Sequence, residues 1–391
     1  MRFMKASLAG AALSVALAAC GGSATPPVPS SQAPATSAAA KPPSASSVPA
    51  AAASAPVSAK PAASTAPATT AKVKLTGAGS TADFPLFTKV FDAWDKQTGN
   101  EVNYQSVGSG AGIEQLTKKT VDFGASDAIM TDEQEKNAGA AVLHLPVTIV
   151  AASIAYNLPG VKDVKLDGES IAGIYLGTIK SWDDPKIVAL NPDLKLPKTP
   201  IAPVERSDGS GTTYIFTNYL SAVSADWKSK VGAGTSVKFP VGIGGKGNEG
   251  VAGQVSQTAG AVGYVEYAYA KQNNISTALV KNQAGKFVPA TVPGQTAAAA
   301  GAAANMPADG KALIVNAPGE GSYPISGFSW IITYKDLADP AKGKALVDLF
   351  TYTATKGQQF AEDLSYAPLP PAVQDLDGKL LKSLTLAGKP Q

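Results

Sequence analysis

The sequence predicts an α/β fold, and three stretches carry that prediction. In each, a short strand meets a turn of small residues and then a helix. The first is Lys74 to Thr81, ahead of a helical pattern from Phe84. The second is Val102 to Val107, ahead of Gly108 to Gly112. The third is Arg206 to Thr212, ahead of the helical pattern Thr213 to Val223. Strand-to-helix turns lie at the carboxyl edge of an α/β sheet, where ligands bind. Val73 to Gln391 is roughly 320 residues, enough for two lobes.

Taken in order, residues 1–20 read as a targeting segment. Arg2 and Lys5 precede an apolar, small-residue run from Ala6 to Ala19, the secretory pattern. Leu17-Ala18-Ala19-Cys20 is similar to the bacterial lipobox, in which Cys20 takes a lipid and becomes the new N-terminus; a plain signal peptide with a chance cysteine is the other reading. The run is short for a transmembrane span, and no later segment offers one. Cys20 is the only cysteine, which excludes disulfides within the chain, zinc–cysteine sites and a cysteine nucleophile elsewhere. Residues 21–72 are almost entirely Ala, Pro, Ser, Thr and Gly, without an aromatic, an acid, Leu or Ile. Such a segment cannot bury enough apolar surface to offset its ordering entropy, so a disordered tether is expected.

In the folded part, Phe84, Phe87, Val90, Phe91 and Trp94 repeat at helical spacing, with Gly99 as the stop. Ile113 and Leu116 mark a short helix after Gly112, and Val121 to Asp127 reads as a strand ending in a carboxylate. The third turn, Arg206-Ser207-Asp208-Gly209-Ser210-Gly211-Thr212, holds the only arginine besides Arg2. Arginine presents a planar fork that grips carboxylate or phosphate through two parallel hydrogen bonds. Ser210 is placed to cap a helix whose face is Ile215, Phe216, Tyr219, Leu220 and Val223. A helix N-terminus offers unpaired N–H groups and partial positive charge, and Gly209 and Gly211 allow close approach. Asp208 is placed to hold the guanidinium. An ordinary capped helix with a surface arginine would show the same letters.

The formal net charge is +3, and no basic run is interleaved with aromatics, so nucleic-acid binding is not expected. Acidic residues are scattered without metal-ligand spacing, and no cofactor is expected. His144, the only histidine, lies in the apolar run Val142 to Pro146 and reads as a packed side chain. Trp94, Trp182, Trp227 and Trp330 read as core.

Six segments, in order, give the chain a resemblance to the phosphate-binding proteins of the bacterial phosphate ABC importer. They are Thr76 to Gly79, Val102 to Gln105, Val121 to Asp127, Ser207 to Thr212, Gly242 to Asn248 and Gly263 to Asn274; the last two are given no ligand contact. The resemblance implies a two-lobed, Venus-flytrap periplasmic-binding-protein fold (type II) with discontinuous lobes and a hinge. Lobe I would be 74–157 with 324–391, and lobe II 158–323. Ala297 to Asn305 departs from the matched segments and is expected to be a variable loop. The implied protein is a monomer in the periplasm or cell envelope, held to a membrane by lipid on Cys20. It would capture inorganic phosphate without chemistry and deliver it to a membrane permease.

The resemblance also assigns anion contacts. Thr81 gives its hydroxyl, Ala82 its backbone N–H, and Ser109 both. Asp127 accepts the proton of the bound phosphate. Arg206 pairs with the anion, Asp208 steadies Arg206, and Ser210, Gly211 and Thr212 donate from the helix start. The family usually has Phe-Pro directly after the threonine; here Ala82-Asp83 intervenes before Phe84-Pro85. Asp83 thus brings a negative charge near an anion site. So does Glu205, although neighbours on a strand face opposite ways. Another tetrahedral oxyanion, such as sulfate, arsenate or a phosphonate, is a narrower alternative. A serine-dependent phosphate-ester hydrolase is the alternative of a different class, since Ser109 and Ser210 each lie between glycines. Its triad would have to use His144, and no metal site is visible to replace it.

Overall fold

A computed structural model of the chain describes residues 72–303 and 305–391. The leader, Cys20 and the tether up to residue 71 lie outside the described residues.

The two longest strands, Val142–Tyr156 and Ser326–Tyr334, lie at the centre of a nine-stranded mixed sheet. Nearly every residue in both is buried, as expected of strands covered on both faces. The main path through the sheet runs Glu101–Ser106, Lys74–Gly79, Phe123–Ser126, Ser326–Tyr334, Val142–Tyr156, Ala261–Glu266, Ala202–Arg206 and Ile243–Gly245. Ser276–Thr277 pairs with the end of Val142–Tyr156. Lys74–Gly79 is parallel to both its neighbours, and Ala202–Arg206 is parallel to both of its own. All three predicted strand-to-helix turns therefore leave carboxyl ends of parallel strands. Val142–Tyr156 serves both halves of the sheet. Ala151 is its last residue paired with Ser326–Tyr334, and Ala152 is the first paired with Ala261–Glu266.

The helices form where the periodicity places them. Phe84–Thr98 buries Phe87, Val90, Phe91 and Trp94, with Pro85 in its first turn. Gly99 ends it in the left-handed conformation, φ 75°, with its N–H on the Asp95 carbonyl. Each buried large apolar side chain contributes about 1.5–3 kcal/mol. Phe84, expected on the same face, is 38% exposed; it begins the helix, and its ring stacks on Tyr104. All four tryptophans are core residues. Trp182, Trp227 and Trp330 each donate their N–H to a backbone carbonyl, and Trp94 donates to Asp348, as buried indoles require.

One expectation is corrected. Val292–Ala303 is a helix, not a variable loop. Alanine has the highest helix propensity, and Ala298 and Ala299 are fully buried. Departure from the family pattern marked a change of sequence there, not a loss of structure.

The helix Pro371–Lys382 buries Asp377, and neither of its carboxylate oxygens has a hydrogen-bond partner among the described residues. Burial pushes its pKa up to about 9. The folded state therefore holds a proton at neutral pH that the unfolded chain has released, and stability falls as pH rises from the ordinary carboxylate range toward 9. Asp377→Asn removes this titration. The variant's stability advantage is expected to widen with pH between 5 and 8, by at most about 1.4 kcal/mol per pH unit. Urea melts of both proteins across that range check this, and parallel stability curves would count against a buried, protonated Asp377.

Candidate functional site

The third turn forms as predicted. The helix Gly211–Val223 starts immediately after Ser210, whose Oγ accepts the Thr213 N–H at 3.0 Å. The first-turn N–H groups of a helix have no partner within it, so those of Gly211 and Thr212 remain available at its end. The Ser210 N–H is not available, because it donates to the Thr235 carbonyl.

The Arg206 side chain is 1% exposed, which excludes the surface-arginine reading. Its Nε donates to Asp208 Oδ1 at 2.8 Å and its Nη2 to Asp208 Oδ2 at 2.5 Å. This side-on pairing uses one edge of the guanidinium and leaves the Nη1 edge for another acceptor. Burial opposes the charge on Asp208, but the guanidinium and the Gly247 N–H outweigh it and hold this carboxyl below its usual range. The Arg206 N–H is anchored on the Tyr264 hydroxyl at 3.0 Å. Glu205 makes no salt bridge with Arg206 among the described residues; its carboxyl lies against Gly242.

The second turn meets the third. Gly108 has φ 93°, a conformation that favours glycine, and a Cβ there would collide with Asp208. Helix Ser109–Thr117 follows directly. The Gly110 N–H donates to the Gly209 carbonyl at 3.0 Å, which sets the two helix starts against each other. A Cβ on Gly211 would sit 2.6 Å from both Asp127 Oδ2 and Ser109 Oγ, so only glycine leaves that space open.

Asp127 follows the strand Phe123–Ser126, as expected, and is buried. Its Oδ1 accepts from Ser80 Oγ at 2.6 Å and lies 2.8 Å from Ser329 Oγ. Its N–H donates to Ser109 Oγ. Burial raises its pKa, while the hydroxyls of Ser80 and Ser329, the charge of Arg206 and the Thr212 hydroxyl oppose the rise. Oδ2 faces the Gly211 gap.

The first turn joins through Thr81, whose Oγ1 accepts from Asn248 Nδ2 at 2.8 Å and from the Asn248 N–H at 3.2 Å. Asn248 Nδ2 also reaches Thr212 Oγ1 at 3.3 Å, and its Oδ1 accepts the Glu266 N–H. With both Asn248 groups donating to it, the Thr81 hydroxyl keeps its own proton to give. The Ala82 N–H, expected to face the anion, instead lies 3.1 Å from Ser80 Oγ. A cavity of about 200 Å³ opens beside these turns, lined by Thr81, Val107, Asp208 and Gly247.

The structure therefore brings Thr81, Ser109, Asp127, Arg206, Asp208, Ser210, Gly211 and Thr212 together. Several donors surround the Asp127 carboxylate, whose Oδ2 borders the Gly211 gap, which suits an oxyanion that carries a hydrogen. Three contributors escaped the sequence reading. Ser80 stands beside Thr81 in the same turn. Ser329 sits between Phe328 and Trp330, and a hydroxyl in a strand buried on both faces was a usable signal. Asn248 lies in a glycine-rich segment with no feature that announces a contact. His144 is buried with its Nε2 accepting the Met130 N–H, and burial lowers its pKa to about 3. Neither Ser109 nor Ser210 is among its hydrogen-bond partners, so it completes no triad with them.

A profile of the PBP superfamily domain matches residues 52–362. The chain is 45% identical over 312 residues to the phosphate-binding protein PstS of Pasteurella multocida, covering 79% of this chain and 90% of that one. It is 44% identical over 304 residues to PstS of Xylella fastidiosa, covering 77% and 83%. Among solved structures, a high-affinity periplasmic phosphate-binding protein bound with phosphate superposes with a TM-score of 0.63 at 20% identity, covering 80% of this chain and 99% of that one. A phosphate-binding protein from Stenotrophomonas maltophilia gives 0.61 at 20% identity, covering 78% and 92%. These likenesses establish the two-lobed periplasmic-binding-protein fold. On the residues that match and the share of both sequences they span, the chain belongs to the PstS family within the PBP superfamily.

Proposed function

We propose that this protein captures inorganic phosphate in the cleft between its lobes and delivers it to the permease of an ABC importer. The lobes are drawn as 74–157 with 324–391 and as 158–323. The protein works as a monomer at the cell envelope, outside the cytoplasmic membrane barrier, anchored by lipid on Cys20 and carried on the 21–72 tether. It performs no chemistry on its ligand.

One observation carries the reading: a buried cluster of donors gathers around Asp127, whose Oδ2 borders the gap at Gly211. In the proposed complex the Nη1 edge of Arg206, the hydroxyls of Thr81, Ser109, Ser210 and Thr212, and the N–H groups of Gly211 and Thr212 meet the phosphate oxygens. Asp127 accepts the phosphate hydroxyl, and Asp208 holds Arg206. The names of the relatives agree with this ligand. Titration calorimetry of the lipid-free chain with phosphate and then sulfate tests it. Tight phosphate binding with little detectable sulfate binding is expected; no phosphate binding would refute it.

Asn248 carries a further expectation. In this reading it orients two ligand-binding hydroxyls without touching the ligand. Asn248→Ala leaves Thr81 and Thr212 without that donor and leaves the buried Glu266 N–H unpaired. Lost hydrogen bonds and an unsatisfied buried group cost about 1–3 kcal/mol. Phosphate affinity is therefore expected to fall about five- to a hundredfold, read by the same titration. Parental affinity would remove Asn248 from the site's support.

A further inference from the structure

Asp83 stands between Thr81 and Phe84-Pro85, and it is fully buried. Its Oδ2 lies 2.6 Å from Ser329 Oγ, and the same Oγ lies 2.8 Å from Asp127 Oδ1. A serine hydroxyl carries one proton, and an ionised carboxylate can only accept. Ser329 therefore cannot satisfy two ionised carboxylates. One of the two short contacts needs a second proton, which a carboxyl group must supply.

The surroundings decide which carboxyl holds it. Asp127 Oδ1 already accepts from Ser80, and the charge of Arg206 favours an ionised Asp127. The Ser80 and Ser329 hydroxyls also favour an ionised Asp83, but it lacks the cation that Asp127 has. Asp83 Oδ1 has no hydrogen-bond partner among the described residues. The titratable groups that face it are Asp127, Glu266 and the phenols of Tyr104 and Tyr366, none of them a cation. Burial and the charge of Asp127 both push its pKa well above the usual carboxylate range.

We infer that Asp83 is a carboxylic acid in the working protein and that Asp83, Ser329 and Asp127 form a one-way relay that fixes Asp127 as the ionised acceptor of the site. The Asp83 Oδ2–H donates to Ser329 Oγ, and the Ser329 O–H donates to Asp127 Oδ1. Asp83 and Ser329 are thus positioning residues, and Asp127 alone meets the ligand. The relay also removes the like charge that Asp83 would otherwise set beside an anion. If the proton sat on Asp127, that carboxyl could donate to a fully ionised anion, and the site would lose its means of reading a ligand hydroxyl. The inference rests on the phosphate reading above and adds what keeps that reading selective.

Two measurements test it. In the ligand-free parent protein, carbon-13 NMR follows the side-chain carboxyl carbons with pH, the Asp83 signal being assigned by its loss in Asp83→Asn. It is expected at the protonated position at pH 7, with no titration in the ordinary carboxylate range. Ionisation near the usual value of about 4 would overturn the relay. The second measurement is the ratio of phosphate to sulfate affinity in Ser329→Ala and Ser329→Thr. Losing the hydroxyl is expected to lower the ratio at least about tenfold, because Asp127 Oδ1 loses a donor. Threonine keeps the hydroxyl and is expected to restore most of it. A parental ratio in Ser329→Ala, or equal losses in both variants, would overturn the proposal. The NMR measurement needs no ligand and no stable Ser329 variant, so it separates a wrong Asp83 assignment from a wrong choice of ligand.

Discussion

Arg206→Lys is expected to weaken phosphate binding at least about tenfold, although it keeps the charge. The native guanidinium spends its Nε and one Nη2 hydrogen on Asp208 and keeps its Nη1 edge free of that pairing. A lysine ammonium is a single point on a flexible stem and cannot grip a carboxylate bidentately while facing an anion on its other edge. Asp208 would keep the Gly247 N–H but lose two charge-assisted bonds. Removing one member of a buried charged network costs about 2–5 kcal/mol in binding. Arg206→Ala leaves Asp208, a half-buried carboxylate, without its cation, so its loss is expected to be larger and to include stability. Calorimetry gives the affinity, and a thermal melt shows how much of the loss is unfolding. A lysine variant with parental affinity would place Arg206 outside the site.

Much of this arrangement was legible because single residue types left few options. The only arginine besides Arg2, an aspartate two residues on and a serine at a helix start define the third turn from local chemistry, and the structure builds it so. Gly99 and the Phe87–Trp94 spacing gave one helix its length and its buried face. What could not be read was contact between segments distant in the sequence. Asn248 is far from Thr81 in the sequence, and only the pairing order of the sheet brings them together. The strand Ser326–Tyr334 places Ser329 between two carboxylates that belong to other segments. The charge state of Asp83 was equally out of reach, because it depends on those neighbours and not on the residue's own letter.

Asp127→Asn is expected to collapse the discrimination between phosphate and sulfate. The two anions are both tetrahedral and close in size, so shape does not separate them. Near neutral pH phosphate keeps at least one hydrogen, and sulfate keeps none. In the parent, Ser80 and Ser329 both direct hydroxyls at Asp127 Oδ1, which leaves Oδ2 toward the Gly211 gap, where the proposed complex places the ligand. An ionised oxygen there accepts the phosphate hydroxyl but meets a sulfate oxygen as an unmatched acceptor and a like charge. A site built to pair with a group rejects an analogue lacking it by about 10⁴–10⁵-fold. The same two serines determine what the asparagine does. Its carbonyl oxygen must take the position that accepts from them, so its NH₂ takes the position of Oδ2. The substitution therefore turns the acceptor at the Oδ2 position into a donor. Sulfate gains a hydrogen bond and loses a repulsion, while phosphate loses the acceptor for its hydroxyl. The ratio of the two affinities is expected to fall at least about 100-fold, with sulfate binding becoming measurable by calorimetry. An unchanged ratio in a folded Asp127→Asn protein would show that another group reads the ligand's proton.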